Sequence, residues 1–242
     1  RAMKITEIEL YHVHIPLKHT FWPTWIPGYP QTHNRFTLIR LITNEGIEGW
    51  SAGTAMGEER QGLGDLLGGY IIGADPLDID RMQNLLKQAG FLGWLNYWIE
   101  PACWDIVGKA KGKPVYELLG GEARSIEAYC SFGELHEAAK RVEELLAMKE
   151  RGFKTFKLRA KAIEFKDDVR LISQVRKGVG DDPVIGVDAN QGWLTSIVDR
   201  VPAWDLKRAT DFAKACADAG IDLPQATDVL STEVEDWERI LD

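Results

Sequence analysis

Three strand–helix pairs in a row constrain the fold of this chain more than any other feature of its sequence. Short apolar segments typical of strands occur at residues 125–132, 153–160 and 183–190, and a helical pattern follows each one. Each helical pattern ends at a glycine, the residue that often terminates helices: Gly152, Gly180 and Gly220. Repeated β–α pairs predict a parallel sheet or barrel, in which functional residues lie at the carboxyl ends of the strands.

The first half of the chain has a different pattern. Residues 3–17 are typical of a strand, and two further strands around a turn at residues 44–46 predict a hairpin. From residue 76 to 119, apolar residues recur every three or four positions, which indicates helices. We therefore predict an α+β N-terminal domain over residues 1–124. The first βα units of a TIM-type barrel follow it, in a domain over residues 125–242.

Composition and charge exclude several classes of protein. The formal net charge of -8 and the pI of about 5.3 argue against a nucleic-acid binder, which needs a basic surface, and give no support for membrane binding. No apolar run approaches the roughly 20 residues of a membrane-spanning helix. The three cysteines form neither a CxxC motif nor a Cys/His metal pattern. We therefore expect a cytoplasmic protein with reduced thiols and without nucleic-acid or membrane partners.

The segment VIGVDANQGW, residues 184–193, places polar residues where an apolar strand ends. Asp188 and Asn190 are two positions apart, so their side chains face the same way. A carboxylate at a strand's carboxyl end can bind Mg²⁺, with the amide in a supporting role. The alternative is structural: Asp188 starts a turn or caps the next helix, since Asp and Asn favour both.

The preceding predicted strand carries two cations, Lys157 and Arg159, with the same spacing. Burial and neighbouring cations can shift a lysine toward neutral pH, so Lys157 is a candidate general base. Arginine keeps its proton, so Arg159 is better suited to clamp a carboxylate or to stabilise developing negative charge. The alternative is a solvated pair on a strand face. The polar pairs lie at matching ends of successive strands, which favours a functional site.

The loop FWPTWIPGYPQTHN, residues 21–34, combines three prolines with four aromatic residues and is predicted to be structured. It can serve as a lid that excludes water and sets substrate specificity. The alternative is a loop packed at a domain or subunit interface. Its candidate specificity residues are Trp22, Trp25, Tyr29 and His33.

Taken in order, five segments resemble the enolase superfamily, in its mandelate racemase / muconate lactonizing enzyme branch. The segments MKITEIELY and IEGWSAG resemble the opening strand and the second hairpin strand of that family. PACWDIVGKAKGKPVYELLGG resembles the segment that closes its capping domain. FKTFKLRA resembles its Lys-x-Lys strand, and GVDANQGW its first metal-ligand strand. The resemblance covers most of the chain, from Met3 to about Gly220.

This resemblance implies a capping domain, a modified TIM barrel and a homo-oligomer. It implies a Mg²⁺ cofactor and removal of a proton α to the carboxylate of a small substrate, which gives a metal-stabilised enediolate. Asp188 resembles the first metal ligand and Asn190 its neighbour. Lys157 resembles the first lysine of the pair, next to the substrate carboxylate. The loop at residues 21–34 resembles the specificity loop of the capping domain.

One departure from the family pattern concerns the reaction. Arg159 stands where the family often has its basic lysine. Racemisation needs two opposed bases, so this change disfavours a racemase or cycloisomerase. A dehydratase acting on a sugar acid, with a base from elsewhere, is less affected. An acid-sugar dehydratase is therefore the leading hypothesis. A catalytically incomplete remnant, acting as a structural or interaction domain, is the alternative.

The other departure concerns the residues after Gly220. There the family has a strand ending in Glu-Glu-Pro that supplies the second metal carboxylate, whereas this chain reads IDLPQATDVL. Asp222 is the nearest acid, but it comes too soon after Gly220 to match that ligand. Three βα units leave an open sheet edge and an uncovered apolar face. We expect that the chain is incomplete relative to the working protein, rather than that its tail folds differently.

Overall fold

A computed structural model of the protein describes residues 2–54, 67–92, 96–160, 163–190 and 203–221. The chain divides into two compact units. The first unit comprises Arg1–Leu17 and His33–Ser125, and the second comprises Lys18–Thr32 and Ile126–Asp242. The second unit therefore includes a short segment from the N-terminal part of the sequence.

The first unit contains a three-stranded sheet in the order β1-β2-β3. Its strands are β1 (Ile5–Phe21), β2 (Gln31–Thr43) and β3 (Glu48–Thr54). β2 and β3 pair antiparallel across the turn at Gly46, whose φ of +75° suits glycine. The predicted hairpin is therefore confirmed.

Among the described residues, four helices follow: α1 (Leu67–Ile71), α2 (Ile79–Phe91), α3 (Ile99–Lys111) and α4 (Val115–Leu118). The apolar face of α3 supplies much of the core of this unit, which it shares with Ile39 and Leu41 of β2. α3 also lies very close to β3, because a Cβ atom on Gly49 would sit 2.0 Å from the carbonyl oxygen of Ala102. Only glycine permits this approach.

The second unit repeats a strand–helix pattern three times. Its elements are β4 (Tyr129–Ser131), α5 (Ala138–Glu150), β5 (Thr155–Arg159), α6 (Phe165–Val179), β6 (Val184–Asp188) and α7 (Leu206–Asp218). The three strands are parallel, in the order β4-β5-β6. The predicted βα units are therefore confirmed.

The core of this unit lies between the sheet and its helices. Strand β5 contributes Phe156 and Leu158, and β6 contributes Ile185 and Val187, all of them buried. The helices cover these residues with an apolar stripe that includes Leu145, Ile172, Val175, Phe212 and Cys216. Burial of the strands' apolar side chains fixes their register, so the polar residues at the strand ends are held in place.

Some predicted boundaries were wrong. Strand β1 continues to Phe21 and β2 begins at Gln31, so the irregular loop covers residues 22–30 rather than 21–34. His33 consequently lies in strand β2. β1, a neighbour of β2 in the sheet, thus extends beyond Pro16 into a stretch where the local pattern of the sequence is irregular. The tail with Asp222 lies outside the described residues. Among helices in the described ranges, none combines the length and hydrophobicity that a bilayer span needs.

Candidate active site

Strands β5 and β6 end side by side, with Arg159 opposite Asp188 and Lys157 opposite Gly186 in the parallel register. The side chains of Lys157 and Arg159 are two positions apart and emerge on the same side of β5. Arg159 and Asp188 are buried, while the Lys157 side chain is 16% exposed. The strand–helix repeat thus brings two cations and a carboxylate together at one end of the sheet.

Both oxygens of the Asp188 carboxylate have protein partners. Oδ2 accepts a hydrogen bond from Nη1 of Arg159 and lies 3.2 Å from Nζ of Lys157. Oδ1 accepts a hydrogen bond of 2.9 Å from the backbone N–H of Asn190. A buried carboxylate is stabilised when it is paired and hydrogen-bonded in this way, since desolvation alone strongly disfavours its charge.

Asn190 is held in an uncommon backbone conformation. Its φ is +45°, the only positive φ among the described non-glycine residues. Asn tolerates this left-handed region better than most residues, and such conformations concentrate at functional sites. The conformation turns the Asn190 N–H toward Asp188 and its side-chain oxygen toward Arg159, whose Nη1 lies 2.8 Å away.

Arg159 connects three parts of the second unit. Its Nε donates to the Phe132 carbonyl just after β4 at 2.9 Å, and its Nη1 donates to Asp188, the last residue of β6, and to Asn190. Its guanidinium carbon lies 5.3 Å from the centre of the Trp25 ring in the loop, within cation–π range. The planar guanidinium therefore binds the protein along several edges, a geometry that a lysine ammonium cannot reproduce.

The loop at residues 22–30 is attached to the same strand ends by hydrogen bonds. The backbone N–H of Thr24 donates to the Gly133 carbonyl at 3.1 Å, and its hydroxyl lies 2.9 Å from Oδ1 of Asn190. The backbone N–H of Trp22 donates to the Glu134 carboxylate at 2.6 Å. Gly133 permits this close packing, because a Cβ there would lie 2.7 Å from the Phe21 ring.

A buried arginine supports the segment that receives these bonds. The Arg141 guanidinium lies 4.2 Å from the centre of the Phe132 ring and donates to the Glu134 carbonyl at 2.6 Å and to the Glu144 carboxylate at 2.6 Å. Burial lowers the pKa of Arg141, and the carboxylates of Glu144 and Glu134 oppose that shift. Arg141 of helix α5 thus holds the segment after β4 in place.

The structure brings together five of the residues singled out in the sequence: Lys157, Arg159, Asp188, Asn190 and Trp25. The side chains of Trp22 and Tyr29 are about half exposed, at 53% and 51%. His33 belongs to the first unit.

Sequence reasoning missed Thr24, which is buried and contacts Asn190. The signal for it is weak: a single small hydroxyl residue among the prolines and aromatic residues of the loop.

The described residues do not make a complete Mg²⁺ site. Within these ranges, no group of three or more His, Cys, Asp or Glu residues is placed to hold a metal ion. Asp188 offers a carboxylate, but Mg²⁺ prefers six oxygen ligands in near-octahedral geometry. Asp188 can therefore be one ligand of such a site, and its partners must come from other residues.

Two family models match consecutive parts of the chain. The model "Mandelate racemase / muconate lactonizing enzyme, N-terminal domain" matches residues 8–120, and the model "Enolase C-terminal domain-like" matches residues 137–223. The chain belongs to the mandelate racemase / muconate lactonizing enzyme branch of the enolase superfamily. This membership confirms the predicted fold class, an α+β capping domain followed by the first units of a TIM-type barrel.

Curated relatives in this family include racemases and dehydratases. The chain is 31% identical to an N-succinyl-L-Arg/Lys racemase from Bacillus cereus, covering 80% of this chain and 54% of the relative. It is 31% identical to a cis-3-hydroxy-L-proline dehydratase from Roseibium aggregatum, and the match covers 82% of this chain and 56% of the relative. It is 32% identical to a D-galactonate dehydratase from Klebsiella pneumoniae, and that match covers 64% of this chain and 44% of the relative. The chain spans about half the length of these relatives.

The fold of this chain is also found in solved structures. The crystal structure of the Bacillus cereus racemase matches with a TM-score of 0.81 and 25% identity, covering 98% of this chain and 63% of that one. A dipeptide epimerase from Enterococcus faecalis, crystallised with Mg and the dipeptide L-Leu-L-Tyr, matches with a TM-score of 0.80 over 98% of this chain and 64% of that one. At 24% identity, the second likeness shows the fold alone.

Proposed function

We propose that this chain is part of a Mg²⁺-dependent enzyme that removes the proton α to the carboxylate of an acid sugar and eliminates water. The observation that carries the proposal is the cluster of Lys157, Arg159 and Asp188 at the carboxyl ends of parallel strands. Membership of a family whose relatives include D-galactonate dehydratases supports this class of substrate.

Lys157 is the cation of the cluster best placed to meet a substrate. Its ammonium lies 3.2 Å from Asp188 and 5.4 Å from the centre of the Tyr129 ring, and its side chain is partly exposed. A substrate carboxylate at the strand ends is attracted to this charge. Loss of the α-proton increases the negative charge on that carboxylate, and a fixed nearby cation stabilises the increase.

Arg159 is unsuited to accept the proton. Arginine remains protonated at any working pH, and its guanidinium here is bound to Phe132, Asp188 and Asn190. Lys157, the candidate base from the sequence, is paired with Asp188 and is assigned here to the substrate carboxylate, so we infer that the base comes from residues outside the described ranges. Racemisation needs a base on each face of the α-carbon, whereas elimination needs one base and a group that protonates the leaving hydroxyl. The arginine therefore favours a dehydratase.

The α-proton passes to the base, the β-hydroxyl takes a proton and leaves as water, and the enol that forms becomes a 2-keto acid. In this proposal Asp188 is one Mg²⁺ ligand, and the others lie outside the described residues. Bound Mg²⁺ would supply positive charge next to the developing enolate. We also propose that the enzyme is a cytoplasmic homo-oligomer. Light scattering of the purified protein tests the oligomeric state, and cell fractionation tests the location.

The test is a screen of the complete gene product against a library of acid sugars, with the 2-keto products trapped by semicarbazide. We expect turnover with Mg²⁺ and its loss with EDTA. Asp188→Asn should abolish turnover, whereas the control Asp182→Asn changes an exposed aspartate paired with Lys149 and should keep it. Isothermal titration with Mg²⁺ provides a readout that does not depend on activity.

Three outcomes contradict the proposal in different ways. A folded, monodisperse protein that neither binds Mg²⁺ nor turns over any acid sugar is a structural or interaction domain. Exchange of the α-proton with solvent deuterium, without loss of water, indicates a racemase or cycloisomerase. If Asp188→Asn turns over the substrate at the parental rate, Asp188 is not a ligand of the catalytic Mg²⁺.

A further inference from the structure

Thr24, a buried residue of the loop at residues 22–30, forms a side-chain hydrogen bond with the candidate active site. Thr24 has a relative exposure of 6%, and its hydroxyl lies 2.9 Å from Oδ1 of Asn190 and 3.2 Å from the Gly133 carbonyl. Pro23 before it has no N–H to donate, and Trp25 after it stacks on Arg159. Thr24 thus joins the loop to Asn190, two residues after the end of β6.

The Asn190 carboxamide oxygen receives hydrogen bonds from both Thr24 and Arg159. The Thr24 hydroxyl and Nη1 of Arg159 both donate to Oδ1, at 2.9 and 2.8 Å. Arg159 sets this orientation, because a reversed carboxamide would point N–H groups at a guanidinium that can only donate, and the Thr24 hydroxyl then donates to the same oxygen. The backbone N–H of the same residue donates to Asp188. A chain of hydrogen bonds therefore runs from the loop to the carboxylate.

We propose that Thr24 is a positioning residue that couples the seating of the loop to the orientation of Asn190 and Asp188. When the loop is seated, the hydroxyl donates to Asn190 and holds the backbone N–H of that residue on Asp188. When the loop leaves, Asn190 loses one of its two donors and its strained backbone relaxes more readily. The effect on substrate affinity rests on the dehydratase proposed above, whereas the coupling does not.

The variant Thr24→Val tests the coupling, because it keeps the shape of the side chain and removes the hydroxyl. The measurement is hydrogen exchange of the complete protein at single-residue resolution. We expect the amides of Trp22, Thr24 and Asn190 to exchange about fivefold faster, the population change that one net hydrogen bond gives. Thr24→Ser should restore the parental rates.

A matched control is Thr210→Val, which removes a hydroxyl that donates to the Leu206 carbonyl inside α7. This variant should leave the amides of Trp22 and Asn190 unchanged. Faster exchange in the loop with an unchanged Asn190 amide would refute the coupling. So would parental exchange at all three amides in Thr24→Val.

A kinetic experiment tests the consequence for the proposed reaction. With an acid sugar identified in the screen, Thr24→Val should raise KM about fivefold and leave kcat within twofold, and Thr24→Ser should reverse the change. A lower kcat at constant KM would overturn the positioning role. If no acid sugar is turned over, the proposed function fails, and the exchange experiment still decides on the coupling.

Discussion

Replacing Arg159 by methionine tests how much the arginine contributes to the end of the sheet. Methionine keeps an unbranched chain of similar length but removes the charge and every donor. The side chain of Arg159 is 8% exposed, and its loss leaves the buried Asp188 carboxylate with Lys157 and one backbone N–H. Removal of one partner from a buried ion pair costs about 3–5 kcal/mol.

Arg159→Lys separates charge from geometry. The ammonium can keep the ion pair with Asp188, but a single nitrogen cannot also reach the Phe132 carbonyl and stack on Trp25. A hydrogen bond from a charged donor contributes about 1.5–3 kcal/mol and a cation–π contact about 0.5–1 kcal/mol. We therefore expect a loss of about 2–4 kcal/mol, slightly less than for methionine.

The assay is urea unfolding of both variants, followed by tryptophan fluorescence and by circular dichroism, with coincidence of the two transitions as the test for two-state analysis. Arg170→Lys serves as the control, because Arg170 forms an exposed ion pair with Asp167 and should change stability by less than about 0.5 kcal/mol. An Arg159→Met variant as stable as the parent would show that the network around Asp188 contributes nothing, and would refute the reasoning.

Two further predictions concern packing and thiols. Gly49→Ala should destabilise the protein by about 1–3 kcal/mol in thermal unfolding, because its Cβ would overlap the Ala102 carbonyl, whereas Gly69→Ala has open space and should be neutral or stabilising. Burial raises the pKa of the Cys103 and Cys216 thiols to about 12, so both should resist labelling by a disulfide reagent at pH 9 until the chain unfolds. Labelling of the native protein at pH 9 would contradict the burial of these thiols. The folded state retains the thiol protons at a pH where the unfolded chain has lost them, so the free energy of unfolding should fall as the pH rises from about 9 to 12.

The local parts of the site were predictable from the sequence, and its long-range parts were not. The spacing of Lys157 with Arg159, and of Asp188 with Asn190, places each pair on one face of a strand, and apolar burial fixes the register between strands. The contact between Thr24 and Asn190 joins residues 166 positions apart, and no local pattern encodes it. The sequence predicts that Arg159 clamps a carboxylate or stabilises charge, and it gives no sign that Nε and Nη1 would donate to Phe132, Asp188 and Asn190.

The assignment of Lys18–Thr32 to the second unit affects how this family can be recombined. A single crossover near residue 125 would take the strand ends from one parent and leave the loop that touches them from the other. Such a chimera would pair an unfamiliar loop with Asn190 and Arg159. An exchange that keeps the loop with its own strand ends needs three junctions, near residues 17, 32 and 125, so shuffling of whole halves should seldom preserve this contact.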